Sequence, residues 1–168
     1  MNPTDKPPWY LNAPAASLRK WAEYLHGQAK ASFLKDKTQT HILFYFTADK
    51  GMIAVAPVPA GIPPAEVNAT VKKAIQQRHL YAVISLSEAW VYFHNPGHDH
   101  TAFQIRHGEM DVSDLRDEDK SEHLYVRMES QDGDCVVLMD EIVRAGGRVE
   151  LGESTTLEGE EMRWFTPA

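Results

Sequence analysis

The stretch from His79 to Phe93 constrains the fold more than any other part of this chain. Its Leu80 to Phe93 portion is the longest run rich in β-branched and aromatic residues, and a helical pattern precedes it. The run reads as the central strand of a sheet, with a bend allowed at Ser87-Glu88. One parity carries Ala82, Ile84, Leu86, Glu88, Trp90 and Tyr92. The other carries Tyr81, Val83, Ser85, Ser87, Ala89, Val91 and Phe93. Neither set is plainly polar, so the strand requires cover on much of both sides.

The flanking segments supply that cover. Residues 1–13 hold Pro3, Pro7 and Pro8 and read as an extended N-terminal arm. A first helix is expected from Pro14 to Leu34, with Leu18, Trp21, Ala22, Leu25, Ala29 and Phe33 on one apolar face. Gly27, inside it, suggests a close helix–sheet contact. His41 to Thr47 and Met52 to Val58 read as strands joined by an Asp49-Lys50-Gly51 turn. Pro57 and Pro59 cannot donate ladder hydrogen bonds, so the end of the second of these is expected at an edge or already outside the sheet. A second helix follows Gly61, opens at Pro63-Pro64, buries Val67, Val71, Ala74 and Ile75, and ends near Arg78-His79.

Beyond the central strand, residues 94–122 form a His-rich and acidic insert, with a short strand allowed at Thr101 to Ile105. His123 to Ser130 and Cys135 to Val143 then read as a hairpin around Gln131-Asp132-Gly133-Asp134, because Asp-Gly is a strong hairpin turn signal. Arg148 to Leu151 allows one more short strand. The tail from Gly152 is polar, except for Met162-Arg163-Trp164-Phe165, which needs cover from this molecule or from a partner.

The expected architecture is one α+β domain over residues 1–168. It has a mixed, mainly antiparallel sheet of five or six strands packed by two helices, in the order α-β-β-α-β-β-β. A net charge of −7 argues against general nucleic-acid binding and leaves room for a partner with a basic surface. The single cysteine, Cys135, excludes an internal disulfide framework and fits a cytoplasmic setting. No apolar run reaches the length of a membrane span. Unpaired strand edges and the apolar tail permit a homodimer.

Two groups of residues could carry chemistry. His94, His98 and His100, with His107 and Asp99 nearby, offer imidazoles for a divalent transition metal. The plainer account is a polar loop making local hydrogen bonds. His98-Asp99-His100 resembles the His-x-His of metal-dependent deubiquitinase-like peptidases. The Ser-x-x-Asp arrangement of that family is absent downstream, so its activity does not carry over. The second group is Glu88, Trp90 and Asp140. Glu88 lies between Leu86 and Trp90, and Asp140 shares a parity with Val136, Leu138 and Ile142. Two carboxylates directed at one cleft would suit general acid–base work. Structurally, Arg127 or Arg144 could neutralise them, or each could sit where its strand leaves the core.

The Val83-Ile84-Ser85-Leu86-Ser87-Glu88-Ala89-Trp90 run, the pair around Leu43-Phe44-Tyr45-Phe46 and Asp49-Lys50-Gly51, and the hairpin at Gln131-Asp132-Gly133 resemble a small family of bacterial and phage-associated α+β proteins. That family has no settled activity. The resemblance implies an intracellular bacterial or phage setting and transfers no catalytic residue. The expected function is a non-enzymatic accessory or protein-interaction role, with no cofactor. The alternative is a metal-binding protein or metal-dependent hydrolase using His94, His98 and His100.

Overall fold

The computed structural model describes residues 14–92 and 112–165. Helix α1 spans Pro14–Asp36, strand β1 Ile42–Thr47, strand β2 Gly51–Pro57 and helix α2 Pro64–Arg78. Strand β3 covers Ala82–Val91, β4 Ser121–Ser130, β5 Cys135–Ala145 and β6 Arg148–Glu158. The strands form one six-stranded sheet in the order β2-β1-β3-β4-β5-β6. Every neighbouring pair is antiparallel. The expected α+β class and element order are therefore present, with β3 well inside the sheet.

Each face of the sheet has its own core. On one, α1 lays Leu18, Trp21, Ala22, Leu25, Ala29 and Phe33 against Phe44, Ile84, Leu86, Leu124, Val126 and Leu138, among others. Trp21 meets Phe46 edge-on, with ring centroids 5.5 Å apart, a favoured aromatic geometry. On the other face, Val67 and Val71 of α2 pack with Leu43, Tyr45, Leu80 and Val83. Trp164 and Phe165 join this second core, so the apolar tail is covered within the chain itself. Strand β3 supplies both cores by alternation, Ala82, Ile84 and Leu86 to one and Val83 to the other.

Several local expectations change. The register between β3 and β4 runs without a shift from Ala82 to Val91, so Ser87-Glu88 makes no bulge there. A side-chain carbon at Gly27 would meet nothing within 4 Å, so that glycine marks no close helix–sheet approach. The last strand is far longer than Arg148 to Leu151. It runs to Glu158, and a register shift opposite Asp140 to Ile142 interrupts its alternation. Gly152 sits at that irregularity, where a Cβ would come within 3.2 Å of Val143 Cγ2. The described part of the acidic segment contains two 3-10 turns, Val112–Asp114 and Asp117–Asp119, and Glu122 already belongs to β4. The N-terminal arm of residues 1–13 and the Thr101 to Ile105 strand lie outside the described residues.

Candidate functional site

Glu88 and Asp140 fall in one cross-strand row on the α1 face, because both pair with Leu124. Two strand spacings of about 4.8 Å put their backbones roughly 10 Å apart, with buried Leu124 between them. Each carboxylate is held separately. Glu88 accepts the backbone N–H of Gln39 at 2.7 Å and so secures the loop that leads from α1 into β1. Asp140, 1% exposed, bonds to Nε2 of His26 on α1 and accepts the hydroxyl of Ser154 on β6. The Lys30 ammonium lies 3.5 Å from it. Asp140 thus ties α1 to the outer strands from an otherwise apolar face. A buried charge with several donors is tolerable where an unpaired one is not.

This is not a hydrolytic triad. Ser154 and His26 bond to opposite oxygens of one carboxylate, whereas a nucleophilic serine needs its base on its own hydroxyl. Trp90 is 44% exposed and lies beneath Lys120, whose Nζ is 4.4 Å from the ring centroid. Neither arginine expected to neutralise these acids does so by contact. Arg144 holds Glu122 with two bonds of 2.8 and 2.9 Å, and Arg127 faces the opposite side of the sheet.

On that opposite side lies a polar cluster that alternation alone conceals. Arg127 and Glu129 occupy the strand parity that the sequence marks as polar, yet they are 3% and 0% exposed. Arg127 Nε donates to Glu129 at 2.6 Å. The Glu129 carboxylate also accepts the backbone N–H groups of Arg163 and Trp164, both at 2.9 Å, and of Phe165 at 3.4 Å. The Arg127 guanidinium reaches the carbonyl of Glu161 and stands 5.9 Å from the Trp164 ring centroid. Trp164 Nε1 donates to Asn68 on α2 at 2.9 Å. The segment from Glu161 to Phe165 is therefore a strap, gripped by β4 below and α2 beside it. The sequence signal for it was two charges of opposite sign, two residues apart, inside a strand flanked by apolar neighbours.

Next to the strap is a cleft of about 340 Å³ between the last turns of α2, the start of β3 and the β4–β5 turn. Glu88, Trp90 and Asp140 do not line it. Also on this side of the sheet, His41 Nε2 sits 2.8 Å from Ser85 Oγ, and burial lowers the His41 pKa from its ordinary 6.5. Cys135 is buried, and the same desolvation raises its thiol pKa, so it has the environment of an inert core cysteine.

His94, His98 and His100 lie outside the described residues. Among the described residues, no group of three His, Cys, Asp or Glu side chains could hold a metal ion. No described helix is long and apolar enough to cross a membrane. No family model, no curated protein and no solved structure matches this chain.

Proposed function

We propose that this chain is a non-enzymatic protein-interaction factor, an accessory or regulatory component acting in the cytoplasm. The observation that carries this reading is the position of Trp90. It is a large, exposed aromatic side chain paired across the sheet with Glu122, where the acidic stretch enters β4. Asp117 and Glu118 are exposed in the turn just before that strand. Lys120 covers part of the ring, and Arg144 and Arg116 pair with Glu122 and Glu118, so this is an aromatic anchor with a rim of mixed charge, suited to a partner that offers an apolar pocket bordered by charged side chains. The acids best placed for proton transfer support a binding role, since Glu88, Glu129 and Asp140 already serve as acceptors within the chain.

The C-terminal aromatics take no part in this surface, because Trp164 and Phe165 are buried in the chain's own second core. The test is affinity capture from the cognate cell with three baits: the native chain, Trp90→Ala, and the double variant Asp117→Asn with Glu118→Gln. Circular dichroism checks that each bait is folded. The reading expects one partner to be recovered by the native chain and depleted at least fivefold by each variant. Equal recovery with all three baits would contradict it.

A further inference from the structure

Among the six described strands, β1 and β2 alone carry no charged residue, and they lie side by side at one edge of the sheet. The strand at the other edge, β6, carries Arg148, Glu150, Glu153 and Glu158. Charged side chains are a common guard on an edge strand. The β2 edge presents apolar ones instead, with Ile53 39% and Val55 51% exposed. No described strand pairs with its outer side. Val55 stands opposite Phe44, on the face that α1 covers, but α1 packs chiefly over β3 to β6 and leaves Val55 open.

The direction of the β2 backbone groups follows from one contact. The Val58 N–H donates to the His41 carbonyl at 2.9 Å, one step beyond the Ile42–Pro57 pair. Hydrogen-bonded and non-bonded pairs alternate along antiparallel strands. Ala56 and Ala54 therefore turn their backbone groups toward β1, whereas Val55 and Pro57 turn theirs outward. The far side of β1 agrees, since the Phe46 carbonyl accepts the Tyr81 N–H at 2.8 Å and so points toward β3. Pro57 has no N–H to offer. The register shift between Tyr45 and Phe46 leaves Ile53 as the extra, bulged residue. Val55 is thus the centre of a short outward-facing stretch, with a proline at one end and a bulge at the other.

We infer that a second copy of this chain pairs here, β2 against β2 in antiparallel register, with the two-fold axis at Val55. Each Val55 then exchanges two backbone hydrogen bonds with its counterpart, and their side chains meet across the axis. Ile53 falls opposite the partner's Pro57, so the missing N–H lies where the bulge already interrupts the ladder. The argument for a second copy is charge. Two chains of net charge −7 repel, and this pairing sets no charged residue of either strand against another. Pairing of β2 with β6 would be head-to-tail and open-ended, whereas the β2 pair closes on itself. The contact is small, so the dimer is weak and depends on concentration. It shares no residue with the Trp90 surface, and its failure would leave the protein-interaction reading standing.

The experiment is sedimentation equilibrium of the full chain from about 10 to about 500 μM, with cysteine cross-linking. The native chain should rise at least 1.3-fold in weight-average mass over that range. Val55 is exposed, so Val55→Lys should fold normally and weaken association at least tenfold, by placing two cations together on the axis. Val55→Ile should associate at least as well as the native chain. Val55→Cys should cross-link to itself with bismaleimidoethane at the higher concentration, and Glu153→Cys on the other edge should not; the native Cys135 is buried. A monomer at every concentration would overturn the proposal, and would mean that this edge is closed within the chain or blunted by Pro57 and the bulge. Association unchanged in Val55→Lys, or cross-linking at Glu153→Cys and not at Val55→Cys, would also overturn it.

Discussion

The Glu129 carboxylate accepts the backbone N–H of Trp164 at 2.9 Å, joining the end of β4 to a segment 35 residues further along. Both residues are buried, and Arg127 is buried with them. The contact explains how a short aromatic segment without regular secondary structure can serve as part of a core. Its amides are satisfied by a carboxylate in place of a ladder, and its rings fill space that α2 leaves open over the sheet.

Removing the acceptor should therefore cost more than an ordinary surface ion pair. Glu129→Ala leaves the Arg127 guanidinium and the amides of Arg163 and Trp164 without their buried partner. The expected loss is about 3–5 kcal/mol in urea unfolding, the range for breaking a buried pair on one side. Trp164→Ala should cost about 3–5 kcal/mol through lost burial and the cavity left behind. Because the two residues touch, the double variant should lose less than the sum. Alanine keeps the Trp164 backbone N–H, so full additivity would mean that the anchoring of the strap by Glu129 and the burial of the Trp164 ring are independent of each other.

On the opposite face, His26 and Asp140 tie α1 to β5. His26→Ala should destabilise the chain by about 2 kcal/mol, the scale of a hydrogen bond to a charged group. Ser154 and Lys30 remain beside Asp140, so the loss should stay below that of Asp140→Ala, which frees His26, Lys30 and Ser154 together. Denaturant midpoints of the two variants give the order directly. A larger loss for His26→Ala would contradict this arrangement.

His41 gives a pH dependence with a definite sign. Burial lowers its folded-state pKa below 6.5, so the unfolded chain takes up the proton first as pH falls. The unfolded state then binds more protons, and stability decreases from about pH 6.5 down through the lowered folded value. Above that window the group contributes no slope. Chemical unfolding between about pH 7 and pH 5 should show a steeper loss for the native chain than for His41→Gln. Identical slopes would show that His41 protonates equally in both states.

The metal alternative has its own check. Protein purified without a histidine tag should contain no stoichiometric divalent transition metal by elemental analysis. The double variant His98→Ala with His100→Ala should melt within about 1 °C of the native chain. One equivalent of zinc, lost in that variant, would replace the interaction reading with the metal-binding one.

Much of the fold was legible because periodicity states which side of an element is apolar. The α1 stripe, the α2 stripe and the alternating halves of β3 all pack as their spacing requires. Proline also read correctly, since β2, which ends at Pro57, lies at the sheet edge. Strand β6 was only partly legible, because the irregularity around Gly152 breaks the alternation that would have extended it. The strap was the least legible. Arg127 and Glu129 look like an exposed polar face until a distant segment covers them, and no local pattern records a contact between residues 129 and 164. The relation between Glu88 and Asp140 was half legible. Strand parity placed both on apolar faces, but only register sets Leu124 between them.

The most direct measurement is native-state hydrogen exchange at the amide of Trp164. If the strap is a wall of the second core keyed by Glu129, this amide should exchange only with global unfolding, as slowly as Val83 and Val126 in the central strands. Exchange at the rate of an open chain, while Val83 and Val126 stay protected, would show that the segment is not held and would remove the basis for both the second core and its cleft.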